Sequence, residues 1–552
     1  MNTFFSYIAS RKILLFITVV FFLIRLPFLD NTFLLYDERD TVLTQYSLAK
    51  TGKDLYGNQT PVSFEHISPQ APVLAMYYGI PFWLLGLPQN VFTSRLIYLF
   101  PSSFIPLLVF EILFVLLKRK ELSVMTALVF SFSPWVYHIS RLALEINIAF
   151  PVLLLALLLQ LKKRYLLSFF LYFISFFLYQ GLRPLIPTIF LYFALVSLQE
   201  KKTLKNNIMI IVFFVLFFAV LLFFADRIEQ NLQSRGSSEI VFLAKNRLKD
   251  EVDYARSLSA NQRPIVHMID NKVVLIADYL TGNTLQGINL SYLFKTGDYV
   301  PIYSNAVTGQ FYPFMVILLF CGLFYLGKVN SGRYYLIAGC SIIGMISSII
   351  NIYSVSFSIR SLFSGIGISF IITLGAFSIY SYVSKLGYIL KYSIFFVCGS
   401  IVVFQTGSFF YKYTFHRPFT QAELYHETER KLARFLIQDT GSYNIRLSNP
   451  FSYYLSYVFL QDKDYKDIVL IQNELQKNKE RFMFYMNQFS PCNAKAVEFT
   501  TLPKASIIDE ICLSDKTKKM LEYVDDKQYH TISYSDINPL RSGKAIKFYI
   551  FK

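Results

Sequence analysis

Long apolar stretches, separated by short basic or longer polar segments, set the pattern of this chain. Runs rich in Phe, Leu and Ile lie near residues 13–29, 96–117, 122–137, 143–161, 165–181, 185–199, 207–224, 313–327, 334–351, 361–383 and 389–407. A hydrocarbon core of about 30 Å asks for helices near this length. The runs are continuous rather than alternating, so the pattern predicts spanning helices and not the strands of a barrel. Eleven spans are therefore expected. A further apolar stretch, Val73 to Leu87, contains Gly79, Pro81 and Gly86. As a span it would invert the side of every later loop, so it is read as an interfacial or re-entrant helix on the outer face. No small-residue cleavage site follows the first run, which is read as a retained signal anchor.

Three segments are polar. The first outer loop, 30–95, opens with Tyr36, Asp37, Glu38, Arg39 and Asp40 and continues as a helix to Lys50, stopped by Gly52; Tyr56-Gly57-Asn58 reads as a turn. Its Glu65 and His66 read as solvated loop residues. The second is an outer loop over 225–312. The third, 408–552, predicts a helix over 420–437 and short strands such as Asp467 to Ile471 and Ile546 to Phe551. The fold class expected is thus an all-α polytopic membrane protein with a small C-terminal α/β domain outside the membrane. The domains are 1–407, including both outer loops, and 408–552.

Composition supports the class. Of 552 residues, 54% are hydrophobic and 16% charged, against roughly 25% charged in soluble domains, and the mean hydropathy is +0.42. The net charge of +17 could point to a polyanionic partner. Position argues otherwise. With the N-terminus inside, the inner segments hold Arg11 and Lys12; Lys118, Arg119 and Lys120; Lys162, Lys163 and Arg164; Lys201, Lys202 and Lys205; Lys328 and Arg333; Lys385 and Lys391. Only Glu121 and Glu200 oppose them. Alternate loops are basic, as the positive-inside rule requires, and no nucleic-acid partner is implied. The expected setting is the cell membrane, with a cytoplasmic N-terminus and an extracytoplasmic C-terminal domain.

Cys321, Cys340 and Cys398 lie within spans and read as small apolar fillers. Cys492 and Cys512 fall in the outer C-terminal segment, where a disulfide between them and two free thiols are both open. No CxxC or HxxxH spacing occurs.

Candidate chemistry clusters on the outer side. Asp37 and Glu38 follow the first span; adjacent carboxylates there suit acid/base or metal work, and equally suit helix capping. Arg141 and Glu145, four apart, are expected on one helix face at the outer boundary, as a functional pair or a self-neutralising one. His138 reads as a rim residue. Arg95, Arg183 and Arg360 are outer-side arginines flanked by apolar residues; they could converge on a phosphate at headgroup level or anchor the interface singly.

In order along the chain stand Asp37-Glu38 with Tyr46 to Asp54 and Tyr56-Gly57-Asn58; Ser68-Pro69-Gln70-Ala71-Pro72-Val73-Leu74 with Ile80-Pro81-Phe82, Leu85-Gly86-Leu87 and Arg95; and Ser133-Pro134-Trp135 with Ser140-Arg141 and Glu145-Ile146-Asn147. Tyr179-Gln180-Gly181-Leu182-Arg183-Pro184 with Pro187, Gly297-Asp298, Gly309 to Pro313 and Arg360 follow. This series resembles the GT-C superfamily of membrane glycosyltransferases, in particular bacterial family 39 members of the protein O-mannosyltransferase and aminoarabinose-transferase kind. Two departures stand out: Gln70-Ala71-Pro72-Val73 replaces a basic residue followed by Pro-Pro-Leu, and Tyr36 stands where a Trp is frequent.

The resemblance implies transfer of a sugar from a polyprenyl-phosphate donor to a protein, glycan or lipid acceptor on the outer face, with inversion at the anomeric carbon. It implies Asp37 as general base and Glu145 as a second acid that assists the base or orients the acceptor, with Arg141 fixing it. Glu38, Arg95, Tyr179, Arg183 and Arg360 are then substrate-binding residues. No cofactor is certain; a divalent metal is compatible, with Glu38 its best spare ligand. The competing readings are a lipid or polysaccharide transporter and a polysaccharide polymerase or ligase. The charges sit on one side of the membrane, whereas a two-sided carrier favours midplane charges and broken pseudo-symmetric spans.

Overall fold

The computed structural model describes residues 14–59, 73–200, 208, 211–213, 215–216, 219, 239–258, 264–329, 331–352, 358–422, 424–438, 444–447, 449–461, 466–477, 489–491, 506–509, 512, 529–533 and 547–551. Among these, helices predominate. Four are long and apolar enough to cross a membrane: Val91–Leu117, Gly332–Ile349, Ser364–Val383 and Tyr388–Thr420. Lys120–Ser131 and Pro134–Ser140 make a fifth candidate, bent by 59°. Leu14–Leu23, Ile146–Leu161, Tyr165–Leu178 and Met315–Lys328 are apolar but shorter. The expected run 207–224 lies mostly outside the described residues. Tyr388–Thr420 presents Ile389, Phe396, Val403 and Phe404 outward, each more than 70% exposed. A contiguous apolar surface of that kind needs a non-aqueous neighbour.

The chain forms two compact units: Met1–Pro27, Ser68–Ala75 and Tyr98–Tyr413; and Phe28–Ile67, Met76–Ile97 and Thr414–Lys552. Most of the first outer loop thus groups with the C-terminal segment, while its Ser68–Ala75 stretch groups with the apolar helices.

In the first unit, Met315–Lys328 packs on Ser364–Val383 through glycines. A methyl group at Gly322 would overlap the carbonyl of Ile371, and one at Gly375 the carbonyl of Leu318. Small residues let helix backbones approach where no hydrophobic driving force separates helix from lipid. One buried polar pair is closed: Tyr172 donates to Gln160 Oε1 at 2.6 Å, and Gln160 Nε2 to the Phe190 carbonyl at 3.1 Å. Arg25, fully buried, donates to Ser140 Oγ at 2.6 Å and to the Ser131 carbonyl at 2.7 Å, and lies over the Phe21 ring.

The second unit holds a five-stranded sheet of β1 (Asn444–Leu447), β2 (Phe489–Pro491), β3 (Ser506–Asp509), β4 (Tyr529–Ser533) and β5 (Lys547–Phe551), in the order β2-β1-β3-β5-β4. β1 runs parallel to β2 and β3, while β5 runs antiparallel to β3 and β4. Parallel strands need a long crossover, and the helices Pro450–Gln461 and Lys466–Lys477 lie between β1 and β2. The strand expected over Asp467 to Ile471 is therefore a helix. Ile468, Ile471 and Leu475 are buried in it at the i, i+3, i+7 spacing of one helix face, a period that five residues do not reveal. The helix expected over 420–437 occupies Glu427–Gln438.

Arg39 is the hub of this unit. Its Nη1 donates to Glu429 Oε2 at 2.8 Å, Ser456 Oγ at 2.7 Å and the Ser452 carbonyl at 2.9 Å. Glu429 also accepts from both serine hydroxyls. A buried charge stands only when it is paired and its remaining groups are satisfied.

Candidate functional site

The acidic pair of the first outer loop opens the helix Tyr36–Thr51, which ends at Gly52 with φ +70°. Both carboxylates are in the first turn, where the helix dipole favours anions. Their settings differ. Glu38 is fully buried, accepting from the Leu35 N–H at 2.8 Å and from Arg95 through both oxygens at 3.0 Å. Arg95 also donates to the carbonyls of Leu29, Thr32 and Phe33, so the pair orders the chain leading into the helix. Asp37 stays half-buried beside it.

Two turns further on, Gln45 meets Gly79, where a methyl group would collide with the Gln45 side chain. The stretch expected as one interfacial helix is broken there, into Val73–Tyr78 and Ile80–Leu84. Residues 60–72, and with them Glu65, His66 and Ser68 to Pro72, lie outside the described residues.

In the other unit, Arg141 and Glu145 do not share a helix. Pro134–Ser140 ends at Arg141, the next helix begins at Ile146, and both residues flank the break. Asn147 holds that break, donating to the Ile139 and Leu142 carbonyls at 2.8 and 2.6 Å, and its oxygen accepts from Ser102. Arg141 donates to the Arg25 and Pro27 carbonyls at 2.6 and 2.9 Å, terminating the first apolar segment. His138 Nδ1 meets the Tyr413 hydroxyl at 3.0 Å.

Glu145, Tyr179 and Arg360 come together. Arg360 hydrogen-bonds the Tyr179 side chain, and Glu145 acts electrostatically on the same tyrosine. Arg360 also donates to Glu239 Oε2 at 2.7 Å. Loop packing holds Arg360 in place. Buried Asp298 accepts from the Val300 N–H at 2.9 Å and from the Ser358 N–H, and Ser358 donates to the Tyr303 carbonyl at 3.1 Å. Trp135 Nε1 bonds the Ser358 carbonyl at 2.9 Å, and its ring meets Tyr292 and Phe311. Burial pushes the Asp298 carboxyl up to about 6.

Arg183 stands at the junction of two apolar helices, Tyr165–Leu178 and Leu185–Glu200. Its Nε donates to the Phe176 carbonyl at 3.4 Å and its guanidinium lies 5.4 Å from the Phe176 ring centre. Among the described residues no carboxylate pairs with it.

Among the described residues no group of three His, Cys, Asp or Glu side chains could hold a metal ion. Cys512 is disulfide-bonded; Cys492 lies outside the described residues. Two functional-looking residues were not singled out from the sequence. Glu239, the partner of Arg360, sits in a mixed polar loop without a motif. Arg25 carried a readable signal, a basic residue at the end of an apolar run.

No family model matches the sequence, and no curated protein does. Solved structures similar in chain path include an archaeal oligosaccharyltransferase, AglB from Archaeoglobus fulgidus, in complex with an inhibitory peptide and a dolichol-phosphate. It is 12% identical, with 82% of this chain and 64% of AglB covered and a TM-score of 0.46. This chain therefore spans less than two thirds of AglB. ArnT from Cupriavidus metallidurans bound to undecaprenyl phosphate is 10% identical, covering 98% of both chains at a TM-score of 0.38. The apo state of ArnT is 11% identical, covering 99% and 98% at 0.37.

Proposed function

We propose that this protein is an integral-membrane glycosyltransferase that moves a sugar from a polyprenyl-phosphate donor to an acceptor hydroxyl on the outer face of the cell membrane. The observation that carries this reading is Arg183: a half-buried guanidinium between apolar helices, with no carboxylate partner among the described residues. A cation so placed favours an anion supplied from outside the protein, and a phosphate carried on a lipid tail can reach such a position.

The chemistry assigned to each residue follows from its type and setting. Asp37, in the first turn of its helix, takes the proton from the acceptor hydroxyl. The acceptor oxygen bonds the anomeric carbon as the carbon–oxygen bond to phosphate breaks, and the electron pair leaves on the phosphate. Displacement from the opposite face inverts that carbon. Arg183 and Arg360 stabilise the charge that develops on the leaving group, and Tyr179 orients Arg360. Glu145, within electrostatic reach of Tyr179, orients the acceptor. Arg141 acts on Glu145 through the chain break that it caps. The Glu38–Arg95 pair positions Asp37 and leaves a metal no ready place at Glu38.

The test uses protein purified in lipid. Lipids that copurify are identified by mass spectrometry, and transfer from that donor is then assayed. Asp37→Asn is expected to lower transfer about 10²–10⁴-fold while donor binding persists. Arg183→Gln is expected to weaken donor retention. Full transfer by Asp37→Asn would overturn the base assignment. Absence of any polyprenyl-phosphate sugar, together with unaltered lipid retention by Arg183→Gln, would overturn the reading as a whole.

A further inference from the structure

A second cluster of cationic residues lies in the unit that contains the sheet. A cavity of about 240 Å³ is lined by Asn31, Pro418, Phe419, Glu427, Arg430, Lys431 and Arg434. That is several times the roughly 30 Å³ a water molecule occupies in the liquid, so the space admits a polyatomic group. Helical spacing makes the wall: Glu427, Arg430, Lys431 and Arg434 recur at three- and four-residue intervals on one face of Glu427–Gln438.

The positive charge of this wall is only partly compensated. Its one carboxylate, Glu427, is committed, accepting from the Phe33 N–H at 2.9 Å and from Arg430 Nη1 at 3.0 Å. Arg430 Nε is buried with no hydrogen-bond partner among the described residues. Neither Lys431 nor Arg434 forms a salt bridge among the described residues, although Glu427 acts on Arg434 at longer range. Partial desolvation and the neighbouring Arg430 charge press the Arg434 guanidinium downward, and Glu427 only partly offsets them. Like charges crowded around an open space lower their energy by sharing an anion.

We propose that this cavity binds a phosphate ester, with Lys431 and Arg434 as its donors, Arg430 as a neighbouring positive charge and Phe419 as the apolar wall for the esterified group. Three cations against one committed carboxylate leave two charges for a phosphate, and planar guanidinium forks suit its oxygens. Phe419 belongs to the apolar helical stretch Tyr388–Thr420 and is 45% exposed. A phosphate held at the end of such a stretch fits a lipid headgroup; a soluble phosphate ester offers the same chemistry.

The experiment measures binding alone, so it stands or falls independently of the glycosyltransferase reading. The full-length protein is placed in phosphatidylcholine nanodiscs. One arm titrates radiolabelled inorganic phosphate; the other adds phosphatidic acid and scores retained lipid by native mass spectrometry. The double variant Lys431→Gln, Arg434→Gln is expected to weaken binding at least about tenfold. Lys249→Gln, an exposed lysine of the other unit, is expected to leave it unchanged. Loss in the phosphatidic acid arm alone identifies a lipid source, and loss in the phosphate arm identifies a soluble one. Should the double variant fail to fold by circular dichroism, Arg434→Glu at its exposed position carries the same test. Absence of binding by the wild type in both arms, or equal binding by wild type and variant, overturns the proposal.

Discussion

Arg95 closes both carboxylate oxygens of Glu38 at 3.0 Å, and neither side chain is more than 3% exposed. The pair lies one residue from Asp37, so its first consequence concerns stability and geometry together. Removing one partner leaves the other charge buried without its ion pair. Glu38→Gln or Arg95→Gln is expected to cost about 3–5 kcal/mol, read by chemical denaturation in detergent. Asp37→Asn, at a half-buried position, is expected to cost less than about 1 kcal/mol. Equal losses from the two carboxylate variants would show that Asp37 is also a structural anchor.

Asp298 predicts a pH dependence of one sign. Its carboxyl rises from 3.8 to about 6 on folding. The folded state therefore binds the proton more tightly, and this group penalises the fold above about pH 6. As pH falls from about 6 to about 4 the penalty lifts, by on the order of 2–3 kcal/mol. The stability of wild type relative to Asp298→Asn should rise over that window and stay flat above about pH 7.

Glu429 predicts the opposite sign. Burial alone would raise its carboxyl, yet His426 and Arg39 hold it down from 4.5 to about 2. Its contribution is fully present above about pH 4.5 and is lost as pH falls toward 2. Wild type should lose stability relative to Glu429→Gln on acidification through that range. A flat difference would show that the charge does not hold this network.

Gly322 and Gly375 set the approach of two apolar helices. Gly322→Leu or Gly375→Leu must push a side chain into the facing backbone carbonyl. Overpacking of this kind costs about 1–3 kcal/mol or more, measured as a lower thermal transition in lipid. Gly327→Ala in the same helix, where a methyl group meets no atom within 4 Å, is expected to be nearly neutral.

The local features legible in the sequence are those carried by short-range physics. Gly52 ends its helix because a positive φ suits glycine, and Asp54 accepts from the Tyr56 and Asn58 N–H groups in the turn read from Tyr56-Gly57-Asn58. The span read continuously over 122–137 instead breaks at Ser133-Pro134, where the Ser133 side chain caps a new helix. Spacing failed where the chain breaks or where a window was too short. Arg141 and Glu145 are four residues apart on no common helix, and the five apolar and acidic residues from Asp467 to Ile471 read as a strand but wind into a helix.

Hydrophobic runs, basic loops and outer-side arginines are written along the chain because each depends on composition over a few residues to a few tens of residues. Partnership is not. Whether Arg183 lacks a carboxylate among the described residues while Arg360 finds Glu239, whether Glu38 is sealed by Arg95 while Asp37 beside it stays half-buried, and which face of Glu427–Gln438 looks into a cavity all depend on residues tens to hundreds of positions away. Charges are tamed or left available by what packs next to them, and that neighbourhood exists only once the chain has folded.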